Sequence, residues 1–181
     1  FRPFAVLSSE QGMKNEIAGA GDKYRGGLAV RFPDIDVSEG KTLEPEELAK
    51  LEAFKSHYGH AGPLFVRHLI DSGVAFDRLK LEREVLAIAS RLAEGKGAAM
   101  ARAARVFAVA QRAGELAAEA SLRGNAVKAK KAIQTAVQRA WDVFNTSDEA
   151  GAATGGEALL DALRSFLFGE LNRRIIVLDN H

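Results

Sequence analysis

The chain has no cysteine, so neither a disulfide framework nor a thiolate metal site is available to it. That absence fits a reducing, cytoplasmic setting. Aromatic residues are scarce, at 7%, with a single tryptophan. A core with so few rings must close by tight packing of small side chains, and the abundant alanine points to close-packed helices. Excess charge of one sign is also missing. With a formal net charge of +1, no overall field calls for nucleic acid or a membrane surface. No apolar run approaches the roughly 18 residues that span a bilayer. What is present is 47% hydrophobic and 27% charged residues over 181 positions. That is enough for one domain with a real core, and the fold class expected is mostly α.

The stretch Lys96–Leu122 organises the rest. At 100° per residue, Met100, Ala103, Phe107, Ala110 and Gly114 fall on one side of a helix. Arg102, Arg105 and Arg112 fall opposite, with Glu115 and Glu119 beside them. Val106, Val109 and Leu116 lie on the flanks, so apolar surface wraps most of the way round. The pattern predicts a helix packed on more than one side, its arginines emerging through a gap. Gly114 costs a helix about 1 kcal/mol relative to alanine, which predicts the close approach of another backbone.

Other helices follow from the same periodicity. Glu44-Pro45-Glu46-Glu47 puts proline in a first turn and acids at its positive end. Leu48, Leu51, Phe54 and Tyr58 give that helix its apolar side. Gly59–Gly62 breaks it, and Pro63 opens Leu64–Asp71. Phe76–Ala93 places Leu81, Val85, Ile88, Ala89 and Leu92 inward. Gly124-Asn125 turns the chain into Ala126–Phe144, whose stripe runs from Ala126 through Ile133, Ala136 and Val137 to Trp141 and Phe144. Gln11–Ala20 and Glu157–Phe168 are shorter candidates, the latter after a glycine-rich loop.

Three short apolar runs predict strands: Phe4–Leu7, Leu28–Phe32 and Ile175–Leu178. Buried parallel strands need neighbours on both sides, so the expectation is the C-terminal part of a longer protein. Ser8 and Ser9 sit at the carboxyl end of the first run, where α/β proteins place ligand-facing groups, or where serine caps a helix. Arg31 is embedded in the second run, and a local bond to Asp34 or Asp36 would account for it. Gly40-Lys41-Thr42 imitates the end of a phosphate-binding loop, but Ile35 stands where the pattern needs glycine. His57, His60 and His68 share no fitting spacing with an acidic ligand, so no metal site is expected. Arg123, Lys128, Lys130 and Lys131 form a local basic cluster that could touch nucleic-acid phosphates or simply be a solvated helix end.

Several stretches together resemble a known family. They are Leu7-Ser-Ser-Glu10, Ala20–Asp36 with Gly26-Gly27 and Val30-Arg31, and His57-Tyr-Gly-His-Ala-Gly-Pro63 with Phe65. Arg102-Ala-Ala-Arg105-Val-Phe-Ala-Val-Ala, Ala113-Gly-Glu-Leu-Ala117, Trp141 and Gly155-Gly156-Glu157 follow. In order and spacing they are similar to the C-terminal half of a bacterial family long described only as a domain of unknown function. Its members accompany primase-like modules in mobile elements and are regarded as AAA+ P-loop ATPases akin to the minichromosome-maintenance helicases. The resemblance implies a remnant of a parallel-sheet ATPase core over residues 1–42 and a helical lid over 43–172. Residues 173–181 would begin a further strand or domain. It implies a ring-forming DNA helicase or translocase that uses ATP and Mg in the full-length protein, with this part inactive alone. Ser8 and Ser9 would sense nucleotide, Arg31 would reach a neighbouring subunit's nucleotide, and Arg102 or Arg105 would touch phosphate from the lid. The alternatives are a non-catalytic helical interaction module and a helical DNA-contacting domain that uses Arg123–Lys131.

Overall fold

The computed structural model describes residues 8, 11–21, 26–38, 43–56, 58–121, 124–147, 150–151 and 163. Among these the chain is mostly helical and contains no strand. The helices are α1 (Met13–Gly19), α2 (Gly26–Ala29), α3 (Pro45–Ala53), α4 (Ala61–Asp71), α5 (Arg78–Leu92), α6 (Ala98–Ser121) and α7 (Ala126–Asn145). A 3-10 turn, Phe54–Ser56, follows α3. No helix among the described residues is long and apolar enough to cross a membrane.

The long helix predicted over Lys96–Leu122 is α6, and α4, α5 and α7 all pack against it. Its apolar side chains therefore do not share one face. Met100, Ala103, Ala104, Phe107, Ala108, Leu116 and Ala118 are all buried, whereas Ala110 faces solvent. The short alanines let the neighbouring helices come close, and three rings fill the remaining space. Phe107 meets Trp141 edge-on, with centroids 5.3 Å apart, and Phe144 at 5.6 Å. Edge-to-face pairs of this kind add about 0.5–1.5 kcal/mol beyond area burial. Ala89 and Leu92 of α5 complete the core.

The boundaries have local causes. Asp77 caps α5 by accepting from the Lys80 backbone N–H at 2.9 Å, satisfying one of the orphan donors of the first turn. Gly95, at φ 70°, carries the chain out of α5 through the left-handed region that favours glycine. In α3, Glu47 reaches back to accept from the Glu44 N–H at 3.0 Å, half of a capping box. The first turn of α1 is closed from a distance, because Asp34 accepts from the Met13 N–H at 2.6 Å.

Three expectations need correction. Leu28–Phe32 is not a strand: Gly26–Ala29 is helical, and the N–H groups of Arg31 and Phe32 both donate to the Leu28 carbonyl. A short apolar run does not distinguish strand from buried helix, and here local bonding wins. Ala29 and Val30 are buried, and Val30 joins the α5–α7 core. The apolar side of α3 is open, with Leu48, Leu51 and Tyr58 exposed. Gly114 makes room for a side chain rather than a backbone: a Cβ there would lie 3.0 Å from Ile133 Cγ2 of α7. The predicted strands Phe4–Leu7 and Ile175–Leu178 and the predicted helix Glu157–Phe168, apart from Leu163, lie outside the described residues.

Candidate functional site: exposed arginines and a buried polar hub on α6

Two groups of polar side chains project from α6, and they differ in what they touch. Arg102 and Arg105 stand one turn apart near the start of the helix, both exposed. Neither forms a hydrogen bond or ion pair with another described residue. They are held on a rigid support, because Ala103, Ala104 and Phe107 between and beyond them are locked in the core. A guanidinium in this condition keeps its full charge and its planar fork of donors for an external anion.

Arg31 lies in the turn after α2 and is also exposed. Neither aspartate expected to hold it does so. Asp34 accepts from Met13, and Asp36 accepts from the Ser38 N–H at 2.8 Å. Val30, the neighbour of Arg31, belongs to the same hydrophobic core as Ala103, Ala104 and Phe107 of α6. No hydrogen bond or ion pair among the described residues links Arg31 to Arg102 or Arg105. Ser8 is exposed, while Ser9 and Arg123 lie outside the described residues.

Arg112 does not belong with these exposed arginines. Of the three arginines expected to emerge from α6, Arg102 and Arg105 are exposed and Arg112 is not. Further along, α6 turns its polar side into the space between its neighbours, and a polar hub forms there. Arg112 Nε donates to Glu84 Oε2 of α5 at 2.8 Å, and its Nη1 lies 3.6 Å from Glu115 and 3.7 Å from Glu119. Glu115 is buried; its Oε1 accepts from Gln111 Nε2 at 2.8 Å and from Gln134 Nε2 of α7 at 2.9 Å. Arg91 of α5 donates to Gln111 Oε1 at 3.1 Å. Glu119 takes Lys130 of α7 on one oxygen and His68 of α4, at 3.3 Å, on the other. Burial pushes the Glu119 carboxyl up, but the bonds from Lys130 and His68 and the nearby Arg112 charge outweigh it. They hold the group below its ordinary 4.5.

The hub divides the predicted basic cluster. Lys130 is committed to Glu119, whereas Lys128 and Lys131 are exposed. Lys128 lines a shallow hollow with Asn125, Ala129 and Ala132 at the start of α7. A second open hollow runs along the outer side of α4, over Pro63, Val66, Arg67, Ile70 and Asp71.

Sequence reasoning did not find the hub as a unit. Its signal within α6 is the spacing of Arg112, Glu115 and Glu119, which puts them on one side of a helix, and the Gln111–Glu115 pair one turn apart. Its other members come from three different helices. Among the described residues no group of histidines and acids is arranged to hold a metal ion. Compared with known proteins, the chain matches no family model, no curated protein and no solved structure.

Proposed function

We propose that this chain is the sensor-and-lid portion of an ATP-driven, ring-forming DNA helicase or translocase, with Arg102 and Arg105 as its phosphate-facing groups. The observation that carries the reading is the contrast within α6. Arg112 is tied to carboxylates, while Arg102 and Arg105 stand exposed on the same helix with no described partner. Guanidinium binds phosphate oxygens in a fork and stabilises charge that grows on them during phosphoryl transfer to water. A lid arginine must be free of local carboxylates and fixed to a stiff element, and among the described residues these two meet both conditions.

The described residues fit only the phosphate end of such a nucleotide. Mg, the phosphate-binding loop and the attacking water's partners would be supplied by the rest of the full-length protein. The parallel-sheet remnant that the family resemblance implies has no support among the described residues, so the proposal rests on the helical part. Arg31 would act across a subunit boundary in a homo-oligomeric ring.

The trans role of Arg31 is tested by mixing. Full-length Arg31→Ala subunits are combined with subunits that lack their own phosphate-binding lysine. Recovery of ATP turnover in mixed rings supports the role, and no recovery in rings shown to assemble removes it.

One observation favours a second reading, a helical interaction module. The outer side of α4 exposes Val66 and Ile70 along an open hollow. That reading expects Arg102→Ala and Arg105→Ala to leave ATP turnover unchanged. The DNA-contacting reading has lost Lys130 to Glu119 and keeps Lys128 and Lys131. It expects salt-dependent DNA binding that falls when these two are neutralised.

A further inference from the structure

Helix α4 is the loosest of the elements that pack on α6. None of its residues is buried, and Phe65, His68 and Leu69 on its inner side are only half-buried. Among the described residues, one side-chain bond joins α4 to any other helix, the 3.3 Å contact between His68 Nε2 and Glu119 Oε2. Histidine is the side chain whose charge changes between about pH 5 and 8. Among the described residues, the one polar tie between α4 and another helix is therefore a titratable one.

Charged groups reach the hub around it from three helices. On the α6 side His68 faces Glu119, behind which stand Arg112 and Glu115; Lys130 comes from α7 and Glu84 from α5. Three carboxylates thus share two permanent cations. Arg91 reaches the hub through Gln111 and bonds none of the three. On α4 itself, Arg67 and Asp71 line the outer hollow. An imidazolium at His68 brings the hub to charge balance, and a neutral ring leaves one carboxylate in excess.

We propose that His68 is a proton-operated clamp: protonated, it fastens α4 to Glu119 of α6, and neutral, it lets α4 loosen and uncover Phe65 and Leu69. The sign follows from the ion pair. Glu119 stays ionised through the imidazole range, so the attraction is complete on the acid side of that range and fades as pH rises through it. A neutral ring can still donate one hydrogen bond, so the effect is the difference between a charge-assisted and an ordinary bond, about two- to tenfold in the opening equilibrium. The inference stands independently of the ATPase reading.

Amide hydrogen exchange on the 181-residue chain tests it. Protection of α4 is compared at pH 5.5 and pH 8.5 after correction for intrinsic exchange, with α5–α7 as internal reference. In the wild-type chain α4 protection should fall about two- to tenfold at the higher pH, while α5–α7 hold theirs. In His68→Gln and in Glu119→Gln the fall should vanish, with α4 still protected. No fall in the wild type, or a fall of the same size in either variant, overturns the clamp. So does an α4 left unprotected at both pH values in both variants, because the side chains rather than their charge would then hold the helix.

Discussion

Replacing Arg112 by alanine should cost stability and not merely a surface contact. Its side chain is 14% exposed and serves three carboxylates at once, with the closest contact 2.8 Å to Glu84. Removing one partner of a buried charge cluster typically costs about 3–5 kcal/mol. Here Glu84 is 34% exposed and can recover hydration, and Glu119 keeps Lys130. Glu115 cannot recover so well, because its side chain is 11% exposed and Arg112 is the cation beside it. The expected loss is therefore about 2–4 kcal/mol, part of it from the aliphatic stem of the arginine. In a chain of this length that corresponds to a fall of roughly 5–15 °C in Tm. Urea unfolding followed by circular dichroism at pH 7 measures it, with Arg112→Met separating the charge from the packing. The hub's own contribution should also depend on pH with a definite sign. The hub lowers the Glu119 carboxyl, so its contribution is complete above about pH 4.5 and drains away as pH falls through the depressed folded value. Acid should weaken the hub in wild type and in Arg112→Ala alike, because Lys130 and His68 lower Glu119 more than Arg112 does. A loss under about 1 kcal/mol would refute the hub as a source of stability.

Other consequences follow from the core. Phe144 is fully buried between Phe107 and Trp141, so Phe144→Ala should cost about 3–5 kcal/mol in urea unfolding. Gly114→Ala gains about 1 kcal/mol of helix propensity but sets a Cβ 3.0 Å from Ile133 Cγ2. In an Ile133→Ala background the same change should become clearly stabilising, with a coupling above about 0.5 kcal/mol in a double-mutant cycle. Additive effects would show that Ile133 yields freely.

The helical skeleton was legible because α5, α6 and α7 carry a 3.6-residue apolar period and are separated by glycines. Gly95 and Gly124 stand in those two connections, both at positive φ. The aromatic end of α7 was legible for the same reason: Val137, Trp141 and Phe144 recur at helical spacing. Leu28–Phe32 was not, since five apolar-rich residues fit strand and helix alike, and the i to i+4 bond from Phe32 to Leu28 is a local choice that hydropathy does not report. The sense of the charged stripe on α6 was half legible. Periodicity places Arg112, Glu115 and Glu119 away from Phe107, but whether that side meets water or another helix depends on partners remote in the chain. His68 and Glu119 are 51 residues apart, and Arg112 and Glu84 are 28 apart. No pattern in one helix reveals that its polar side has been roofed over. The open apolar side of α3 is the converse case, a clear stripe with no described neighbour to cover it.

The division of labour along α6 is best tested by measuring ATP turnover and unfolding midpoint together for Arg105→Ala and Arg112→Ala in the full-length protein. The account predicts opposite profiles. Arg105→Ala should lose turnover by an order of magnitude or more with its midpoint nearly unmoved, as for an arginine that stabilises phosphoryl-transfer charge. Arg112→Ala should lose stability first. Normal turnover in Arg105→Ala, or a loss of turnover that merely tracks its unfolding, would contradict the proposed assignment of the exposed arginines to a nucleotide.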